Sequence, residues 1–205
     1  MQEFDYNETP PPPSELDTLV RILGVSHEDV VWAVRVGSQV YGTAQESSDH
    51  DYMVALAKGK DTLVKGEGID IVVKSLQSFE DALDEHNIFA LECYFAPIRA
   101  SLKKTRVKRL KVNTGALLAS ANEKSLADYN KGLREPMDYG CKKRLWHSLR
   151  VADFAFQIWR KGFLDDYTSA NEMYWDLMTD PSEDPAHYRN RWGPVRERLL
   201  SRLSG

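Results

Sequence analysis

The spacing of apolar positions changes along the chain, and each change marks an element. Between residues 14 and 24, Leu16, Leu19, Val20 and Leu23 recur at helical intervals. Ser14 precedes them as a candidate N-cap, Glu15 and Asp17 sit in the first turn, and Gly24 follows the last apolar position, so a short amphipathic helix is predicted. Val30–Val36 is rich in β-branched residues and ends at Gly37-Ser38, the pattern of a buried strand. Asp51–Leu56 and Gly68–Val73 are predicted as second and third strands, with Thr62-Leu63-Val64 as a short edge segment between them. From Ser75 the spacing turns helical again. Leu76, Phe79 and Leu83 define one helix, and Ile88, Leu91 and Cys93–Phe95 a shorter one that stops at Pro97.

Beyond residue 100 the pattern predicts helices alone. Residues 114–132 and 138–162 read as long amphipathic helices, with shorter ones at 165–178 and 194–203. The expected class is α/β (α+β): a mixed β-sheet core flanked by helices over residues 14–100, and an all-helical C-terminal region over 101–205. The boundary is expected near 98–112. No Gly/Ser linker lies there, so the two halves are expected to pack on each other. Residues 1–13 are acidic and end in Pro10–Pro13, a segment expected to stay extended and flexible.

Charge and cysteine usage narrow the function. A net charge of −4 gives no global attraction to nucleic acid, so such a partner would need a local basic patch. The apolar runs are too short to cross a bilayer, and the acidic N-terminus lacks the order of a secretory signal. Cys93 and Cys141 stand far apart without a CxxC or a histidine cluster, which argues against a disulfide framework or structural zinc. A cytoplasmic location is expected.

The informative stretch runs from Gly37 to Asp51. Glycine after a strand lets the backbone approach a phosphate closely, and Ser38 adds a hydroxyl and an N–H at the start of a short helix. Asp49 and Asp51, two apart on an extended segment, project to one face. Adjacent carboxylates repel unless a cation lies between them, and hard oxygen ligands with open positions suit magnesium. Asp70 is an acid inside an apolar strand, costly there without a metal or a partner, although an edge residue facing water would also explain it. If its strand lies beside that of Asp51, all three acids can meet at one metal cluster.

At these residues the chain resembles the DNA polymerase β-like nucleotidyltransferase superfamily, in particular its small bacterial and phage members. Gly37-Ser38-x-x-Tyr41-Gly42-Thr43, Ser48-Asp49-x-Asp51, Asp70 and Ala90-Leu91-Glu92-x-x-Phe95-Ala96-Pro97 carry the resemblance, joined by Lys142-Lys143 through His147-Ser148-Leu149-Arg150. It is strong over 31–97, weaker over 138–180 and absent at both ends. It implies two metal ions, magnesium or manganese, held by Asp49, Asp51 and Asp70, with Gly37-Ser38 gripping a nucleoside triphosphate. In-line attack on the α-phosphate would then release pyrophosphate, with Asp70 assisting the metal or taking the acceptor's proton.

Other residues allow two readings each. Lys143, His147 and Arg150 share a helix face at i, i+4, i+7 and could bind the triphosphate or an acceptor phosphate, or form a solvated surface. Lys103, Lys104, Arg106, Lys108, Arg109 and Lys111 could guide RNA or be a solvated loop. Lys74 could touch a phosphate or face water, Tyr41 could stack on a base or fill its turn, and Glu92 is expected in a helix cap or an ion pair. The acceptor hydroxyl is expected on RNA or tRNA, with a protein or a small molecule as alternatives. A non-catalytic nucleotide-binding module is the competing class.

Overall fold

The structure, a computed structural model, describes residues 14–105 and 109–203. The expected extended segment 1–13, and Arg106 and Lys108 of the basic run, lie outside the described residues. The chain divides into two compact units. Of the described residues, those up to 84 and between 92 and 110 form the first, and those between 85 and 91 and from 111 onward the second.

The first unit is a five-stranded sheet in the order β3-β4-β2-β1-β5. Its elements are α1 (Ser14–Leu23), β1 (Val30–Val36), α2 (Ser38–Tyr41), β2 (His50–Leu56), β3 (Thr62–Gly66), β4 (Ile69–Ser75), α3 (Leu76–Asp84) and β5 (Ser101–Lys104). The sheet is mixed. β1 runs antiparallel to β2 and β5, β3 antiparallel to β4, and β2 parallel to β4 in unbroken register from His50/Ile69 to Leu56/Ser75.

Alternation sorts the two faces. Ala33, Tyr52, Val54, Leu56, Ile71 and Val73 pack against Leu19 and Val20 of α1, as the helical stripe predicts. Arg35 fixes that helix further, because Nε and Nη2 donate to the two Glu15 carboxylate oxygens at 2.8 and 2.5 Å. The opposite face carries Val34, Met53 and Ala55. Trp32 joins it, with its ring 5.9 Å from Phe79 of α3 and from Tyr94.

One strand was not expected. β5 has the sequence Ser-Leu-Lys-Lys, which shows no apolar run, yet it pairs with β1 at the sheet edge. Backbone pairing and two lysines hold it: Lys103 Nζ donates to the His27 carbonyl, and Lys104 Nζ to that of Ala96, both at 2.6 Å. These contacts are long in sequence and leave no local periodicity.

The second unit is helical, with α5 (Thr114–Gly132), α6 (Tyr139–Lys161), α7 (Asn171–Thr179) and α8 (Pro185–Ser201). α4 (Ile88–Phe95) contains the junction at 91/92. Asn113, Asp138 and Asp184 cap α5, α6 and α8 by accepting backbone N–H bonds at 3.0, 2.8 and 2.8 Å. Gly162, at φ 82°, closes α6 in the left-handed conformation.

Two helix starts differ from expectation. α7 begins at Asn171, not 165, because residues 166–169 fold around the buried Gln157 side chain. That amide donates to the Asp166 carbonyl at 2.9 Å and to the Ser169 hydroxyl at 2.8 Å, and accepts from the Asp166 N–H at 3.1 Å. α8 begins at Pro185, not 194: Asp184 caps it, Pro185 takes the first turn, and Pro194 lies inside. Buried Arg196 joins three helices, donating from Nε to Ser125 Oγ at 2.9 Å and from Nη2 to Asn122 Oδ1 at 2.9 Å, while Ser125 Oγ donates to the Ser148 carbonyl at 2.9 Å.

Among the described residues no helix is long and apolar enough to cross a membrane.

Gly132 marks where α5 meets α6. A Cβ there would lie 2.7 Å from Leu145 Cγ and 2.8–2.9 Å from the backbone Leu145 N and Cys141 O. Helix propensity favours alanine over glycine by about 1 kcal/mol, but the clash involves backbone that cannot move cheaply. Gly132→Ala is therefore expected to destabilise the protein by about 1–3 kcal/mol in urea unfolding.

Candidate functional site

The parallel pairing of β2 with β4 places Asp51 directly beside Asp70. Both belong to one row across the sheet, which reads Val36 on β1, Asp51 on β2, Asp70 on β4 and Lys65 on β3. Register partners share a face and stand about 5 Å apart at the backbone. Two of the three predicted acids are thus brought together by backbone hydrogen bonding alone. Asp49 lies just before β2, exposed, and His50 between the acids pairs with Ile69 and takes the opposite side of the pleat.

Gly37 sits at the end of the same row. Its backbone adopts φ 76°, ψ −160°, a conformation that L residues avoid. The place its Cβ would occupy is taken by Asp51, whose Oδ2 lies 2.1 Å from it. The glycine therefore has two independent reasons: a backbone angle and a neighbouring carboxylate. The Gly37 carbonyl accepts from the N–H groups of Val40 and Tyr41 at 3.0 and 3.1 Å, winding α2, and Gly42 ends it at φ 74°. Ser38 opens this turn, and its hydroxyl makes no hydrogen bond to the protein among the described residues.

Tyr41 fills the turn. Its hydroxyl donates to Glu92 Oε2 at 2.5 Å, with both side chains buried. Glu92 is thus a hydrogen-bond acceptor that anchors the Gly37–Gly42 turn. The residues are 51 apart in sequence. Their shared membership in the motif was the only signal that linked them.

Sequence reasoning missed Lys65. It pairs with Asp70 in the β3–β4 hairpin register, and its Nζ donates to Asp70 Oδ2 at 2.8 Å. Asp70 foremost, then the charges of Asp49 and Asp51, hold the Lys65 ammonium above the usual lysine value. All three acids therefore act on one cation. The available signal was a lysine five residues before an acid, across the tight Gly66-Glu67-Gly68 turn.

Lys143, His147 and Arg150 stand in the second unit, on α6. They share a face, as expected, but it is not a simple solvated one. Arg150 is buried, with its guanidinium 5.3 Å over Trp146 and 5.0 Å over Phe154, and its Nη2 lies 3.2 Å from His147 Nδ1. Burial above all, and then the charges of Arg150, Lys143, Lys124 and Arg144, hold the His147 imidazole well below 6.5. Asp128 offsets part of this charge, 3.0 Å from Lys124 and 3.9 Å from Arg144.

Lys74 pairs with Asp61 at 2.6 Å, and Lys103 and Lys104 serve the backbone carbonyls of their own unit.

The acids suit a hard divalent cation in chemistry and in backbone placement: oxygen donors in register beside a glycine whose side is open to them. Their side chains do not yet converge. Among the described residues no three His, Cys, Asp or Glu groups are gathered closely enough to hold a metal ion, and the Asp70 carboxylate is engaged by Lys65.

No family model matches the sequence, and no curated protein matches it. Among solved structures the chain is similar to a nucleotidyltransferase-like protein from Exiguobacterium sibiricum 255-15. The identity is 11% and the TM-score 0.35, over 92% of this chain and 74% of that one. At that distance the functional reading rests on the site itself.

Two outcomes follow from this geometry. Gly37→Ala is expected to cost roughly 1–3 kcal/mol in denaturant unfolding, through backbone strain and displacement of Asp51. His147 sets an acid limb to stability. Its folded value is depressed, so above 6.5 neither state binds the proton, whereas below 6.5 the unfolded chain takes up a proton that the folded chain refuses. Stability should fall with pH there, by up to about 1.4 kcal/mol per pH unit. In urea titrations from pH 7 to 5, His147→Gln should show a shallower decline.

Proposed function

We propose that this chain transfers a nucleoside monophosphate from a nucleoside triphosphate to a hydroxyl on RNA, releasing pyrophosphate. The observation that carries this reading is the in-register pair Asp51–Asp70, with the Asp51 carboxylate lying where a Gly37 side chain would be. Asp51 lies against the glycine-serine turn and Asp70 is its register partner, a juxtaposition that supports the polymerase β-like reading.

In this reading the Gly37-Ser38 turn receives the triphosphate. The Asp51 carboxylate fills the side of Gly37, so phosphate oxygens would meet the turn at Ser38, whose hydroxyl and N–H are available to donate to them. Asp51 and Asp70, with Asp49 completing the set, would hold magnesium, or manganese in its place. When bound, the metal would polarise the α-phosphate and offset charge on the departing pyrophosphate. The acceptor hydroxyl attacks the α-phosphorus, the bond to the β-phosphate oxygen breaks, and the hydroxyl proton passes to Asp70. Tyr41 and Glu92 hold the turn rigid, which matters because misplacement by an ångström costs orders of magnitude in rate.

An RNA acceptor is favoured by the cations gathered on α5 and α6. Lys124, Lys143, Arg144 and Arg150 surround a neutral imidazole with Asp128 as their acidic counterpart, a local positive field on a chain of net charge −4.

The test is incubation with magnesium, each labelled triphosphate, and total RNA or cell protein. Label is expected in RNA. Label in a protein band would reassign the acceptor, and label in neither would leave a binding module without turnover. Asp51→Asn and Asp70→Asn are each expected to reduce transfer by at least about a thousandfold. For Asp70→Asn, folding stability should change by no more than about 1 kcal/mol, since its pair with Lys65 is largely exposed on the lysine side. For Ser38→Ala, triphosphate binding measured by calorimetry should weaken by about 1–3 kcal/mol.

A further inference from the structure

We propose that Lys65 is a built-in counter-ion: its ammonium occupies the cation seat beside Asp70 in the metal-free protein and leaves when a divalent cation binds. This rests on the metal-dependent reading above and adds a residue to it.

The root of Lys65 is fixed. Strand pairing sets it opposite Asp70, and the hairpin turn is tied to the start of β2 by the His50 N–H donating to the Gly68 carbonyl at 2.9 Å. Gly66, next to Lys65, is crowded by Ile69 Cγ2 at 2.9 Å from where a Cβ would stand, so the turn has little room to vary. The head is free. The Lys65 side chain is 67% exposed against 23% for Asp70, and its four-carbon stem can swing into solvent without breaking any other contact described for it.

The electrostatics favour such an exchange. Unoccupied, a row whose two acids stand about 5 Å apart at the backbone, with a third just before β2, would repel itself. One ammonium reduces that cost in the metal-free state. An ion pair this exposed is weak, so a dication facing the same carboxylates outcompetes it. Once released, Asp70 has both oxygens available for the metal or for the acceptor's proton, neither of which it can serve fully while bonded to Lys65.

Among the described residues no ready three-donor cluster stands while the Asp70 carboxylate is held by Lys65. Lys74, four residues beyond Asp70 on β4, supplies a natural comparison. It carries the same charge on the same face but pairs with Asp61.

The experiment measures manganese binding to the full chain by electron paramagnetic resonance, without nucleotide, in wild type, Lys65→Met, Lys74→Met and Asp51→Asn. Lys65→Met is expected to bind manganese about three- to fivefold more tightly, and Lys74→Met like wild type. In parallel, acetic anhydride labelling read by mass spectrometry should modify Lys65 faster when magnesium is added, with Lys74 unchanged. Unchanged or weaker manganese binding in Lys65→Met, equal tightening in Lys74→Met, or labelling of Lys65 indifferent to magnesium would each overturn the counter-ion role. If Asp51→Asn binds manganese as wild type does, the metal-dependent reading itself falls, an outcome separate from the other three.

Discussion

The site depends on one backbone constraint, the seven-residue parallel register between β2 and β4. Side chains alternate across a strand, so a slip of one residue would send Asp51 or Asp70 to the face covered by α1, among Tyr52, Val54 and Ile71. Burying a carboxylate there is far more costly than any single contact at the site can offset. The apolar core under α1 therefore enforces the alignment of the acids on the opposite face. The chemistry is positioned by the hydrophobic pattern of the strands that carry it.

The turn after β1 works by the same economy. Gly37 is the only residue type that meets both the backbone angle and the space taken by Asp51, and the buried Tyr41–Glu92 bond fixes the far end of α2. Left-handed backbone in this turn is thus confined to two glycines, with Val40 and Tyr41 buried between them. A turn arranged this way presents its donors without having to order itself when a ligand arrives.

Much of this was legible in the sequence because it is local. β1 and α1 follow the apolar pattern to the residue, α5 and α6 begin and end where caps and glycines place them, and the β3 edge segment is present. The acids were singled out by spacing, and their alignment needed only that the two strands be neighbours. What escaped the sequence has long-range causes. β5 owes its strand to pairing with β1 and to lysines on carbonyls, α7 is shortened by the reach of Gln157, and Glu92 has its role from a tyrosine 51 positions away. Lys65 was missed for a different reason. A lysine on an exposed edge strand is what any soluble sheet contains, and only the hairpin register distinguishes this one.

The partition of the chain has a further consequence. The path crosses between the units at 84/85, 91/92 and 110/111. Residues 85–91, which contain the buried Ile88, Ala90 and Leu91, belong to the helical unit although they are encoded inside the stretch that builds the sheet. His86 accepts the Asn113 N–H at 2.7 Å and ties that heptapeptide to the cap of α5. A gene truncated after residue 110 would keep the heptapeptide and lose its partners, leaving apolar side chains bare. A single cut in the chain therefore does not separate the two units cleanly, because the heptapeptide of one is encoded within the other.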